Sequence, residues 1–235
     1  MEVLAIIPAR GGSKGVKLKN LKKLGNKPLI EYSIKSAKIP IINRIVVSTD
    51  NEKIAKFSKS LGIEIPFLRP RGISGDKATN FQVIKHTLNT LEKNEGYIPD
   101  VVVLLQPTSP LRPTNLIEKS IKLLIKTKAT SVISVKQVKT HPFFSFSYNK
   151  KFLHPIKDNF EQFKRRQSRP TLYFPTGSIY VFWSKTIKKY DSMYGPKTKP
   201  IIVNDEYWNM DLDSEFDFIL CENLLLNHKK KKSKI

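Results

Sequence analysis

Ile6-Ile7-Pro8-Ala9-Arg10-Gly11-Gly12-Ser13-Lys14-Gly15-Val16-Lys17-Leu18-Lys19-Asn20 reads as an apolar strand running straight into a glycine-rich, cationic loop. That stretch decides the fold, because a loop leaving the end of a buried strand is where open α/β sheets bind ligands. Gly11, Gly12 and Gly15 can take positive φ and bring backbone N–H groups close to an anion, while Arg10, Lys14, Lys17 and Lys19 supply charge around it. Arg offers a planar fork for phosphate oxygens and Lys a mobile point charge, so the mixture suits a polyphosphate. The loop matches neither G-x-x-x-x-G-K-[ST] nor G-x-G-x-x-G, which removes the main support for a P-loop ATPase or an ordinary dinucleotide site. A solvated turn is the competing reading.

Downstream, strand and helix patterns alternate. Pro28 to Ile34 opens a helix with proline in its first turn, and Arg44 to Ser48 is a second strand. Thr49-Asp50-Asn51-Glu52 reads as a capping box before a helix carrying Ile54, Phe57 and Leu61, stopped by Gly62. Glu64 to Leu68 reads as a short strand, and Phe81, Ile84, Leu88 and Leu91 mark one face of a long helix. Val101 to Leu105 is the most apolar strand and is expected at the centre of the sheet. A helix with Leu116, Ile117, Ile121, Leu124 and Ile125 follows, then a strand over Ser131 to Val135. This alternation predicts an α/β fold with a mostly parallel sheet and right-handed crossovers.

The pattern breaks over 136–175, where aromatic residues, prolines and cations occur without helical period. The segment reads as an extended arm or hairpin insertion that packs on something else, with a second subunit as the natural partner. Strands resume over Ser178 to Phe182 and Ile201 to Val203, and Ser214 with Asp217 caps a C-terminal helix. The domain is expected to span 1–228, followed by a disordered basic tail over 229–235.

Asp211-Leu212-Asp213 is the second chemical constellation. In an extended segment alternate residues share a side, so the two carboxylates can converge on one hard cation while Leu212 points inward. Mg²⁺ takes one or two carboxylates plus substrate phosphates, whereas the competing reading gives Asp213 and Asp217 to the next helix's N-terminus. Gln106 and Arg112 flank a proline-fixed loop at the end of the most buried strand, where an amide beside a guanidinium suits a polyhydroxylated acid. Turn chemistry accounts better for Pro107-Thr108-Ser109-Pro110 between them. The cluster Lys164-Arg165-Arg166-Gln167 lies in the arm, and the four histidines lack zinc-ligand spacing.

The chain has 235 residues, enough for one α/β domain. Its single cysteine, Cys221, rules out an internal disulfide framework and fits a reducing compartment. No run approaches the length of a membrane span, and the N-terminus lacks the pattern of an export signal, so a cytoplasmic protein without membrane association is expected. Net charge is +22, which raises nucleic-acid binding as an alternative. The cations are overwhelmingly Lys and spread along the whole chain, which is the pattern of compositional bias rather than of a binding stripe.

Several of these motifs carry a resemblance. Ile7 to Gly15 with Lys19-Asn20 resembles the first motif of the acylneuraminate cytidylyltransferases, the CMP-sialic acid synthetases. Leu105 to Arg112 is similar to the second motif, Arg166-Gln167 with Gly177-Ser178-Ile179-Tyr180 to the arm and following strand, and Met210 to Asp213 to the metal motif. The resemblance implies a Rossmann-like sheet of the nucleotide-diphospho-sugar transferase type with a dimerisation arm. It implies CMP transfer from CTP to the anomeric hydroxyl of an acidic nine-carbon sugar, with Mg²⁺ and release of pyrophosphate. Arg10, Lys19 and Asp211 are then the expected catalytic residues. Arg10, Gly11, Gly12, Ser13, Lys14, Asn20, Arg69 and Asn80 are expected to bind nucleotide, Gln106, Arg112, Arg166 and Tyr180 to bind sugar, and Asp211 and Asp213 to bind metal. Phe174 and Thr176 depart from the family's Arg and Asn, leaving the identity of the sugar open. An eight-carbon acid such as Kdo is the neighbouring alternative.

Overall fold

The computed structural model describes residues 1–232 other than Lys14, Asn159, Lys164, Arg166 and Ser168, and for Phe160, Phe163 and 229–232 only the backbone. Six strands form the main sheet: β1 (Val3–Pro8), β4 (Arg44–Ser48), β5 (Val101–Leu104), β6 (Ser131–Gln137), β9 (Tyr173–Trp183) and β10 (Thr198–Ile202), in the order β10-β6-β9-β5-β1-β4. Two-stranded ribbons are made by β2 (Lys23–Leu24) with β3 (Lys27–Pro28) and by β7 (Phe146–Tyr148) with β8 (Leu153–Pro155). The helices are α1 (Leu29–Ala37), α2 (Glu52–Ser60), α3 (Asn80–Glu95), α4 (Leu116–Thr127), α5 (Ser184–Tyr190) and α6 (Glu215–Lys232).

β1 runs parallel to β4 and β5, and β10 parallel to β6, while β9 is antiparallel to both β5 and β6. The reversal follows from the chain path. No crossover helix separates β6 from β9, so the two pair as a wide hairpin whose tip is the 136–175 arm. The period-two alternation of the strands divides the core into two layers. Ala5, Val103 and Val181 face α1, α2 and α4, and Leu4, Leu104 and Phe182 face α3 and α5. β5 is fully buried between β1 and β9, as its unbroken apolar run requires. α6 lies outside the sheet, seated by Phe218 and Cys221 on Val16, Leu24 and Leu212.

Four local expectations are corrected. Glu64 to Leu68 is not a strand: it contributes only isolated bridges, Val46 to Glu64 and Thr49 to Leu68, because Pro66 between them has no N–H to donate. The cap of α2 is Asn51, whose side chain accepts from the N–H groups of Lys53 and Ile54, rather than a Thr49–Glu52 box. Gly11, Gly12 and Gly15 lie outside the left-handed region. What Gly11 and Gly15 supply is room: a Cβ on Gly11 would stand 2.7 Å from Asn51 Cβ, and one on Gly15 would collide with the Asp213 carbonyl oxygen. The helix α6 continues through Lys229–Lys232, the first part of the run expected to be a tail, and Ser233 to Ile235 lie outside the described residues.

Candidate active site

A cleft of about 470 Å³ opens beyond the C-terminal ends of β1 and β5. Its walls come from four distant segments: the glycine loop (Arg10, Ser13, Gly15, Lys19, Asn20), the 69–80 region, Gln106 to Thr108, and Asp213. The volume is in the range of small-molecule sites.

The glycine loop is anchored at both ends. Gly11 N–H donates to Asp50 Oδ1 at 2.9 Å, so Asp50 fixes the loop rather than capping α2. Asn20 is buried, and its Nδ2 donates to the Arg10 carbonyl at 2.9 Å. Leu18 in the left-handed region turns the chain so that Lys19 reaches the aspartate segment. Lys19 Nζ donates to the Leu212 carbonyl at 2.8 Å and to Asp213 Oδ1 at 2.9 Å. The two motifs singled out in the sequence, 193 residues or more apart along the chain, therefore meet through one ammonium.

Arg69 lies buried in the cleft wall. Its Nε donates to Ser48 Oγ at 3.1 Å and its Nη2 to the Ser48 carbonyl, and desolvation lowers its pKa to about 10, with Asp50 opposing and Arg10 adding to that shift. Asn80 stands at the first residue of α3, held there by a capping box in which Thr79 and Gln82 exchange hydrogen bonds. The N-terminal end of α3 thus borders the cleft, adding a positive helix end to Arg10, Lys19 and Arg69.

Leu212 is fully buried, and its N–H donates to the Thr108 carbonyl at 2.8 Å, which leaves Asp211 and Asp213 on the other side of the segment. Asp211 is exposed by residue area, yet its carboxyl is desolvated. Burial raises its pKa and Asp213 adds to the shift, while a hydrogen bond from Thr108 and the charge of Lys19 oppose it. Among the described residues no group of three or more His, Cys, Asp or Glu forms a metal cage. The Asp pair does fit a hard cation that takes its remaining oxygens from phosphate and water, since such a cation would relieve the charge stored on Asp211.

Arg112 and Tyr180, expected to bind sugar, are not among the residues that line the cleft, and neither is Asp211; of the aspartate pair only Asp213 does so. Arg112 is buried behind the cleft: its Nε donates to the Ser178 carbonyl at 2.6 Å, Nη1 to Ser33 Oγ at 3.1 Å and Nη2 to the Gln106 carbonyl at 2.5 Å. Desolvation lowers its pKa to about 9. It pins the Gln106 loop to β9 and α1 and does not line the cleft. Tyr180 is in the core between β5 and β6, edge-on to Tyr194 at 6.5 Å, with burial raising its pKa to about 12. Gly11 and Gly12 are in the loop without lining the cleft, and Lys14 and Arg166 lie outside the described residues.

Sequence reasoning missed Asp76, Thr108 and Gly177. Asp76 lines the cleft and pairs with Arg10 Nη1 at 2.9 Å; nothing in Ser74-Gly75-Asp76-Lys77 signals it. Pro107 and Thr108, assigned to turn structure, line the cleft as well. Gly177 has φ +75°, and a Cβ there would stand 2.5 Å from Gln106 Oε1. Its signal was present, since glycine inside an otherwise apolar strand marks a close approach.

The profile of the family described as cytidylyltransferase matches residues 4–219. The chain belongs to the cytidylyltransferase family. Among its relatives, "Post-translational flagellin modification protein B" of Campylobacter coli is 33% identical over 95% of both chains. "CMP-N,N'-diacetyllegionaminic acid synthase" of Legionella pneumophila is 31% identical over 96% of this chain and 97% of that protein. A solved structure described as CMP:2-keto-3-deoxy-manno-octonic acid synthetase complexed with CTP superposes with a TM-score of 0.70 over 97% of this chain and 100% of that one. At 15% identity that likeness shows the fold of this cytidylyltransferase, a mostly parallel α/β sheet flanked by helices.

Proposed function

We propose that this cytidylyltransferase transfers CMP from CTP to the anomeric hydroxyl of a nonulosonic acid of the neuraminic or legionaminic type, releasing pyrophosphate. The observation that carries the reading is Lys19, whose ammonium joins the glycine loop to Asp213 in a cleft that also holds Arg10, Arg69, Asn80 and Gln106. The legionaminic reading draws on a relative matched from end to end. The eight-carbon alternative draws only on a structure 15% identical.

In this reading Arg10 and Lys19 hold the triphosphate, and Asn20 keeps the Arg10 backbone in place. Arg69 and Asn80 face the cytosine, and Gln106 meets the sugar. The sugar hydroxyl attacks the α-phosphorus, a new P–O bond forms, the α–β anhydride bond breaks and pyrophosphate leaves. Such transfer asks mainly for positioning and charge stabilisation. Asp211 and Asp213 would hold Mg²⁺, which when bound supplies positive charge to the phosphate oxygens. Asp211 is also the carboxylate assigned to the proton of the attacking hydroxyl, through an oxygen that does not hold the cation.

The arm is read as the contact of a homodimer, because Tyr148, Phe152, Leu153 and Ile156 are 58–68% exposed on a hairpin with no core of its own. Among the described residues no helix is long and apolar enough to cross a membrane. Together with the single buried thiol this supports a cytoplasmic enzyme.

The test is pyrophosphate release from CTP, UTP, ATP and GTP against a panel of nonulosonic acids and Kdo, with and without Mg²⁺. Release confined to CTP, a nonulosonic acid and Mg²⁺ is expected. Equal turnover of Kdo, or full turnover by Arg10→Ala, would overturn the assignment.

A further inference from the structure

We propose that Asp217 is a positioning residue for the aspartate pair: it holds the main chain of Asp213 from α6, so that Asp211 and Asp213 converge on one cation. The inference rests on the reading of those two carboxylates as the holders of Mg²⁺. Asp217 Oδ2 accepts three hydrogen bonds, from the Ser214 N–H at 2.7 Å, from Ser214 Oγ at 2.8 Å and from the Asp213 N–H at 3.0 Å. Ser214 Oγ in turn accepts from the Asp217 N–H at 3.3 Å. The exchange between Ser214 and Asp217 is a capping box and serves the helix. The bond to Asp213 does something more, because Asp213 precedes the capping residue and its N–H is not among the donors a helix start leaves unpaired.

The helix that carries Asp217 is anchored away from the aspartates. Phe218 and Cys221 are buried against Val16 and Leu24, Glu222 Oε1 accepts from the Gly25 N–H at 3.0 Å, and Glu215 pairs with Lys22. The carboxylate of Asp217 therefore fixes Asp213 from a base that does not move with it. The peptide linking Leu212 to Asp213 is gripped at both polar ends, its carbonyl by Lys19 Nζ at 2.8 Å and its N–H by Asp217. In the proposed reaction Lys19 also serves the triphosphate, so Asp217 is the grip that is independent of nucleotide. With the N–H held, the Asp213 carboxylate stays on the side shared with Asp211. Groups that orient metal ligands in this way are worth about 10- to 100-fold in metal affinity or activity.

The experiment compares Asp217→Ala, Asp217→Asn and Ser214→Ala in the full chain. Thermal midpoints are followed against Mg²⁺ concentration at fixed CTP without sugar, so that binding is read in the absence of turnover, and pyrophosphate release then gives kcat. Asp217→Ala should raise the half-saturating Mg²⁺ concentration about 10-fold or more and lower kcat to a similar extent. Asp217→Asn keeps an oxygen for both main-chain N–H groups and should recover most of that loss. Ser214→Ala takes the hydroxyl from the cap but leaves Asp213 bonded, so it should lower the midpoint without Mg²⁺ and leave the Mg²⁺ response unchanged. Equal Mg²⁺ responses in Ser214→Ala and Asp217→Ala would make Asp217 a helix cap alone and overturn the proposal, as would an Asp217→Asn protein no better than Asp217→Ala. A wild type indifferent to Mg²⁺ would instead remove the metal reading itself, and this inference with it.

Discussion

Arg10 Nη1 and Asp76 Oδ1 lie 2.9 Å apart in the cleft wall, so the guanidinium assigned to the triphosphate already holds a carboxylate of its own chain. Nucleotide must displace that partner. Both side chains are about a third or more exposed, and pairs of that kind contribute little. Asp76→Asn is therefore expected to lower KM for CTP by roughly two- to fivefold with kcat nearly unchanged. Steady-state kinetics at fixed sugar checks this; a raised KM would instead make Asp76 a residue that positions Arg10.

Gly12 and Gly15 should respond differently to one added methyl group. Nothing lies within 4 Å of a Cβ on Gly12, whereas a Cβ on Gly15 meets the backbone oxygen of Asp213, which cannot swing aside like a side chain. Gly12→Ala is expected to keep activity within about twofold. Gly15→Ala separates the loop from the aspartate segment, and displacements of that size cost on the order of 100-fold in kcat/KM. Similar thermal midpoints in both proteins would locate the effect in the cleft.

The difference between these two glycines shows what the sequence could reveal. Apolar runs gave β1, β4 and β5 nearly to the residue, since their burial is written as unbroken Ile, Val and Leu. The direction of β9 was not legible, because it depends on the chain returning from the arm without a crossover. At the site, residue type identified Arg10, Lys19 and Asp213, and the cleft brings them together. Residue type also promoted Arg112, whose guanidinium turns inward, and Tyr180, which is buried in the sheet, because a side chain's direction depends on neighbours 66 or 79 positions away or on the opposite strand. Asp76 went unseen for the same reason.

Asp211 carries a cost that removal of its charge should reveal. Its folded-state pKa is raised, chiefly by burial, so the folded protein binds that proton more tightly than the unfolded chain does. The associated stability is present below the unfolded pKa and is lost as pH rises through the folded value. At neutral pH the ionised carboxylate is therefore a burden, and Asp211→Asn should raise the thermal midpoint while abolishing pyrophosphate release. Mg²⁺ with CTP should stabilise the wild type and leave the variant's midpoint unmoved. Equal Mg²⁺-dependent stabilisation of both proteins would remove Asp211 from the metal site.

Gln106, proposed to meet the sugar, is held from the interior by Arg112 and closely approached by Gly177, and the three can be separated by experiment. Arg112 holds the Gln106 carbonyl, the Ser178 carbonyl and Ser33 Oγ, all with N–H groups of one buried guanidinium. Arg112→Met strands those acceptors and should cost about 2–4 kcal/mol of stability. Gly177 acts from the other side: at φ +75° any other residue is strained by about 1–2 kcal/mol. The added Cβ also displaces Gln106 Oε1. Gln106→Ala itself removes an amide from the cleft wall without disturbing either support. The expected order of thermal midpoints is Gln106→Ala highest, Gly177→Ala intermediate and Arg112→Met lowest. All three should raise KM for the sugar more than KM for CTP, because the nucleotide contacts are proposed to come from the glycine loop and the start of α3. Denaturation curves and paired KM values test both orders at once. If Gln106→Ala left the sugar KM unchanged, Arg112 and Gly177 would be supports of the fold alone, and the sugar would have to be read by another part of the cleft.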